Sequence, residues 1–213
     1  MNSMTQPSKP ASQLGQQSEA NPADISAPAS PTTMQRVNLR QILLQNRRAI
    51  PLNLRAGWDQ SIRHQIAAWC ETHQPNTLGI YWPIQGESDL TPLYPSLHQS
   101  GIRLSLPVVI GREQPLQYVD WQPDEAMMPD QYHIPTPQRP RPVPVPDVIL
   151  IPCVGFNADR FRLGYGGGFY DRTLATLPDR IALGVAYQQA LSVFTADSHD
   201  IAMHHIFTES GDG

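Results

Sequence analysis

A chain of 213 residues, 40% of them hydrophobic, is long enough to bury one substantial core, and a formal net charge of −4 offers no bulk attraction to a polyanion such as nucleic acid. Two cysteines, Cys70 and Cys153, make neither a disulfide framework nor a CxxC redox or zinc pair, so reduced thiols in a cytoplasmic setting are expected. No window approaches the roughly eighteen consecutive apolar residues of a membrane span, and the N-terminus lacks the apolar run of a secretory signal.

Residues 1–33 are crowded with Ser, Pro, Gln and Ala and poor in large apolar side chains. Such a segment cannot bury enough surface to offset the entropy of ordering, and it reads as a disordered extension before one domain over residues 34–213. At "TTMQRVNLRQILLQNRRAI" the pattern turns helical: Thr32 with Gln35 as a capping box, then Val37, Leu39, Ile42, Leu43 and Ile50 as the apolar stripe. Arg36, Arg40, Arg47 and Arg48 are assigned to the opposite face. A second helix is predicted over residues 59–71, with Ile62, Ile66 and Trp69 on one side.

"TLGIYW" then reads as a strand running into the loop "PIQGESD", and "LTPLYPSLHQSG" as a broken helix closed by Gly101. "IRLSLPVV" is the next strand. The proline-rich "MPDQYHIPTPQRPRPVPVP" lacks the amide hydrogens of a helix or central strand and reads as a crossover between core elements. "DVILIP" is a nearly continuous apolar run, expected to be buried on both faces. After it come the loop "CVGFNADRFRLGYGGG", the helix "FYDRTLATL" ended by Pro178, and the strands "RIALGVAY" and "HHIFT". Alternation of helix and strand predicts an α/β fold with a mostly parallel sheet.

The order strand, glycine loop, helix suits an anion. Gly164, Gly166, Gly167 and Gly168 allow close backbone approach, and Arg162 and Arg172 can fork onto phosphate oxygens. The GxxxxGK(S/T) phosphate loop is absent, and GxGxxG fails at Phe169. Asp171 beside these arginines would repel a phosphate unless a magnesium ion stood between them, which makes it the natural metal ligand. A tight packing turn and a helix-terminal Asp favoured by the dipole are the structural alternatives.

At these residues the chain resembles the 5-formyltetrahydrofolate cyclo-ligase family, also called methenyltetrahydrofolate synthetases. "ILIPCVGFNADRFRLGYGGGFYDRTL" carries the motif Arg-Leu-Gly-x-Gly-x-Gly-(Tyr/Phe)-Tyr-Asp, and "RVNLRQILLQNR", "IYWPIQGESDL", "GIRLSLPVV" and "SHDIAMHHIFTE" match in order over residues 36–209. The resemblance implies a three-layer α/β/α sandwich similar to the sugar-phosphate isomerase and CoA-transferase group. It implies conversion of 5-formyltetrahydrofolate to 5,10-methenyltetrahydrofolate with ATP and magnesium, releasing ADP and phosphate. The protein would act on a small folate as a monomer, with no nucleic-acid or membrane partner.

Carried over by position, Arg36 stands where the family has a helix-1 lysine on the ATP phosphates, and Arg40 matches a helix-1 arginine of the same region. Arg162, Gly164, Tyr165, Gly166, Gly167, Gly168, Phe169, Tyr170 and Asp171 match the ATP-binding segment. Asp171 is expected at magnesium, and Arg162, Asp171 and Arg36 are expected to carry catalysis. Glu87 and Tyr132 are implied to bind the folate. Arg36 for lysine, His133 for glycine, Thr136 for glutamate and Phe169 for tyrosine depart from the family pattern. A non-catalytic folate or nucleotide binder that kept the pocket, and a sugar-phosphate isomerase or transferase on a related fold, are the competing readings. His199 and Asp200 are assigned structural hydrogen bonds, and His204 and His205, adjacent in a strand, point to opposite faces.

Overall fold

The computed structural model describes residues 31–212, with side chains from residue 34 to residue 211, so the expected extension over residues 1–33 lies outside the described part except for the backbone of its last three residues. In chain order the elements are α1 (Pro31–Arg48), α2 (Leu52–His73), β1 (Thr77–Gly79), α3 (Tyr94–Gln99), β2 (Arg103–Val108), β3 (Gln117–Trp121), β4 (Met127–Pro129), β5 (Pro135–Pro137), β6 (Pro142–Val143), β7 (Val148–Pro152), β8 (Gly155–Phe156), β9 (Arg162–Leu163), α4 (Phe169–Ala175), β10 (Ile181–Val185), β11 (His205–Thr208) and β12 (Gly211–Asp212). Eight strands form one sheet in the order β12-β11-β10-β7-β1-β2-β3-β6. The five from β11 to β2 are parallel, and β12, β3 and β6 are antiparallel additions at the edges.

Strand periodicity divides the core between the two faces. On β7, Val148 and Leu150 join the cluster that contains Ile62, Ile66, Tyr94 and Leu97 from α2 and α3. Ile149 and Ile151 join Leu174 of α4, with Ala182 and Ile206, on the other face. The sheet is therefore covered on both sides, which makes the expected three-layer α/β/α sandwich the observed one. Near-continuous apolar character in "DVILIP" follows directly from this double burial.

Three local readings change. The second helix begins at Leu52, behind Pro51, seven residues before the predicted start at Asp59. "QYVDW" pairs with β2 over five residues as β3, a strand that the proline-rich segment beyond it had obscured. The glycine-loop region also holds a short antiparallel pair, β8 with β9. That pair delivers Arg162 from a strand rather than from a loop.

The largest correction concerns α1. Val37 and Ile42 are exposed, whereas Arg36, Leu43 and Arg47 are each 6% exposed. Arg36, Arg40, Leu43 and Arg47 follow the helical spacing of one face, and that face turns inward. Buried arginines are tolerated only with partners for their N–H groups, so this face has to meet carboxylates and carbonyls.

Candidate active site

At the carboxyl ends of the parallel strands lies a cleft of roughly 490 Å³, bordered by Leu106 and Pro107 of β2, Pro152 of β7 and Tyr81 just past β1. This is where open α/β sheets place ligands, because successive loops leave the sheet in different directions there. Arg36, Arg40, Glu87, Tyr132 and Arg162 line it, with Gly164, Tyr165, Gly166, Gly167, Gly168, Phe169, Tyr170 and Asp171. The glycine turn thus borders open space beside Asp171 and is not packed shut.

Two glycines in the loop have left-handed backbone, Gly166 at φ 98° and Gly168 at φ 64°. A Cβ at Gly168 would also lie 2.7 Å from Arg172 Nη1, and one at Gly167 would strike the Phe169 ring. Arg172 does not offer its fork to the cleft. It donates to the carbonyls of Gly167 at 2.6 Å, Arg112 at 2.9 Å and Gln114 at 3.4 Å, tying the loop to the β2–β3 connection. Arg40 Nε holds the near end through the Gly164 carbonyl at 2.8 Å. Gly168→Ala is expected to cost about 1–3 kcal/mol, from left-handed strain and displacement of Arg172. Gly164→Ala, which meets nothing within 4 Å, should stay within about 0.5 kcal/mol of the parent in stability. Thermal denaturation of both variants checks the contrast.

The charged groups arrive in pairs. Arg162 Nη2 meets Asp171 Oδ2 at 2.8 Å, and Asp171 Oδ1 accepts the Ile201 amide at 3.3 Å. Arg36 Nη1 bridges Asp200 at 2.7 Å and Asp197 at 2.9 Å, while its buried Nε has no hydrogen-bond partner among the described residues. Burial works against the Asp200 carboxylate, but hydrogen bonds from Arg36 and the Asp197 amide, with the charges of Arg36 and His199, hold its pKa below 3.8. Arg40 has its pKa lowered, first by burial and then by the neighbouring Arg36 charge. Asp197, His199 and Asp200 bring ligand atoms within 4.8 Å of one another on the cleft wall. Their two carboxylates suit a hard cation such as magnesium, which takes oxygen donors in preference to imidazole. Asp200, assigned to structural hydrogen bonding, does accept such bonds, from Arg36 and the Asp197 amide, but it does so on the wall of the cleft, where His199 stands beside it.

Glu87 is 5% exposed. Its Oε2 accepts the Ile84 amide at 2.9 Å and its Oε1 accepts the Tyr165 hydroxyl at 2.7 Å. Burial pushes its pKa above 4.5, against the lowering effect of those two bonds and of the Arg47 charge. Arg47 in turn donates to the Tyr165 oxygen at 2.6 Å and to the carbonyls of Gln85 and Cys153, each at 3.2 Å. Half-exposed Tyr132 sits in the β4–β5 turn, where the Asp130 carboxylate accepts the Tyr132 and Ile134 amides. His133 has φ 60°, so this chain keeps a left-handed conformation that glycine would adopt without strain. Thr136 is buried in β5 with its hydroxyl on the Met128 carbonyl, a packing position.

Other polar groups serve the framework. The Cys153 thiol is 1% exposed and burial pushes its pKa up to about 11, which leaves no reactive thiolate near neutrality. Asp89 caps the turn at Thr91 instead of assisting Glu87. Gln188 accepts from Thr208, and His204 Nδ1 accepts the Ala182 amide. Arg47 and Asp197 are the site residues to which sequence reasoning gives no role. Arg47 was detectable, since it lies seven residues from Arg40 on the same helical face; Asp197, in irregular backbone, carries no periodic signal.

Comparison with known proteins agrees with this geometry. A model of the "5-formyltetrahydrofolate cyclo-ligase family" matches residues 32–209. The 5-formyltetrahydrofolate cyclo-ligase of Mycolicibacterium smegmatis is 31% identical over 180 residues, covering 80% of this chain and 91% of its own. That of Mycoplasma pneumoniae is 31% identical over 175 residues, covering 80% and 96%. Among solved structures, the 5,10-methenyltetrahydrofolate synthetase of Aquifex aeolicus superposes with a TM-score of 0.74 at 27% identity, over 84% of this chain and 92% of that one.

Proposed function

The chain belongs to the 5-formyltetrahydrofolate cyclo-ligase family, and from that premise we propose that it closes 5-formyltetrahydrofolate to 5,10-methenyltetrahydrofolate with ATP and magnesium, releasing ADP and phosphate. The observation that carries the reading is the single cleft whose wall holds both the glycine loop with its arginine–aspartate pairs and the buried Glu87 carboxylate. A sugar-phosphate isomerase needs a carboxylate base but no nucleotide, so dependence on ATP is what separates the two readings.

A formamide oxygen is a poor leaving group until it is phosphorylated. The formyl oxygen attacks the γ-phosphorus of ATP, a P–O bond forms, and the bond to ADP breaks. The anilinic nitrogen then attacks the activated formyl carbon with loss of its N–H proton, and C–O cleavage releases phosphate and leaves the methenyl bridge. No protein nucleophile is needed; positioning and charge stabilisation supply the rate.

In this chain Arg36, Arg40 and Arg162, with the amides of residues 164–168, receive the phosphates. Phe169 and Tyr170 wall the loop. Asp171 and the Asp197–Asp200 pair offer the oxygens for magnesium, which when bound neutralises charge on the phosphates. The unpartnered Arg36 Nε is a donor that suits a phosphate oxygen. Glu87 and Tyr132 receive the folate. The cleft suits a small-molecule substrate; the reading keeps a monomer with no nucleic-acid partner, for which a net charge of −4 offers no bulk attraction. Two buried free thiols fit a cytoplasmic setting, and no described helix is long and apolar enough to cross a membrane.

The test is purified protein with 5-formyltetrahydrofolate, followed by ultraviolet absorbance of the methenyl product. Product is expected only when magnesium and ATP are both supplied. No methenyl product with both supplied, together with ATP-independent turnover of a sugar phosphate, would favour the isomerase or transferase reading, and binding of both ligands without phosphate release would favour a non-catalytic binder.

A further inference from the structure

We infer that Tyr165 is a positioning residue that couples the two halves of the site, joining the glycine loop to the buried Glu87 carboxylate so that nucleotide and folate binding reinforce each other. This rests on the functional reading above and adds a role to a side chain which that reading uses only as part of the phosphate loop.

The hydrogen-bond directions are fixed by chemistry. Arg47 can only donate, so the Tyr165 oxygen accepts its Nη2 at 2.6 Å, and the one phenolic proton goes to Glu87 Oε1 at 2.7 Å. Arg47 is itself anchored to the Gln85 and Cys153 carbonyls, on the loop before Glu87 and just beyond β7. Its guanidinium also lies 5.7 Å from the Tyr165 ring centroid. Burial and the Glu87 charge both push the Tyr165 pKa upward, so the proton stays on the hydroxyl and is donated.

What this chain of bonds joins is unequal in burial. Glu87 and Arg47 are buried and held by backbone groups. Tyr165 sits among glycines, two of them in left-handed backbone, and is 40% exposed. Arg40 and Arg172 tie the loop at Gly164 and Gly167, and Tyr165 lies between those ties, beside the amides that a phosphate would seat. When phosphates fix residues 164–168, the hydroxyl is held on Glu87 and the acid is set for the folate. When the folate fixes Glu87, the loop is held for the phosphates. By linkage the two effects must be equal.

The experiment measures 5-formyltetrahydrofolate binding by calorimetry, with and without magnesium and a non-hydrolysable ATP analogue, in the parent and in Tyr165→Phe. The parent is expected to bind the folate about fivefold or more tightly with the analogue present. Tyr165→Phe keeps the ring and removes only the hydroxyl, and should bring that ratio to within about twofold of unity, whatever its affinity for each ligand alone. A parent ratio near unity, or an undiminished ratio in Tyr165→Phe, overturns the inference and leaves the enzymatic reading intact. Failure of the parent to bind the folate at all overturns that reading as well.

Discussion

Arg162→Ala is expected to lower turnover about 10- to 150-fold at saturating ATP, the equivalent of about 1.5–3 kcal/mol for deleting a charge-assisted hydrogen bond to phosphate in the transition state. Arg162 is 5% exposed and delivered by β9, so its position is set by the β8–β9 pair and not by the loop it serves. Its bonds to Asp171 and to the Ile201 carbonyl, at 2.8 Å and 3.4 Å, engage two of its N–H groups and leave donors for an anion. Removing it also strands Asp171, and breaking a buried pair costs up to about 3–5 kcal/mol. The partial exposure of the Asp171 side chain and its bond from the Ile201 amide keep the loss below that range. Arg162→Lys separates the two roles. It preserves the charge opposite Asp171 and much of the stability, but a point charge cannot fork onto a phosphate, so turnover should remain depressed. Near-normal kcat in Arg162→Ala with ATP saturating would remove Arg162 from the phosphate site.

How much of this was legible differs by region, for physical reasons. The strands β7 and β10 announced themselves because a strand buried on both faces must be apolar almost throughout. Strand β3, next to the short edge strand β6, has only three of five positions buried and adjoins the proline-rich crossover, so its signal was diluted. Helix α1 misled because amphipathic reasoning assigns charge to solvent. That rule fails where a cleft supplies the partners, as Asp197 and Asp200 do for Arg36 and as carbonyls do for Arg47. An arginine face that is also a core face is therefore a mark of a site.

Within the site, the glycines and Asp171 were readable because their types are dictated locally, by backbone conformation and by charge, whereas Tyr170 came only with the family resemblance. Pairings between distant segments were not. Arg36 meets Asp200 across 164 positions and Tyr165 meets Glu87 across 78. Nothing in either neighbourhood encodes the other; only the sheet order, which sets β7 between β1 and β10, brings the loops together.

The same geometry sets the second large effect. Glu87→Gln should lower kcat/KM for the folate about 10- to 150-fold, chiefly through KM, because it removes a charged acceptor worth about 1.5–3 kcal/mol. The amide cannot simply replace the carboxylate. Both present partners, the Tyr165 hydroxyl and the Ile84 amide, are donors, so the Gln NH₂ must face one of them and, where it faces Tyr165, the phenolic proton must turn away. The pH dependence gives an independent signature. Burial raises the Glu87 pKa above 4.5, so as pH falls the carboxylate is protonated and kcat/KM declines along a limb above 4.5, which the Gln variant should lack. Stability runs the other way. Between 4.5 and the raised value the folded state binds more protons than the unfolded state, so this group destabilises increasingly as pH rises through that window. Gln carries no such dependence, and the difference in melting temperature should shift toward the variant over the same interval. An unchanged folate KM with an unchanged acid limb would mean that Glu87 only fastens its own loop.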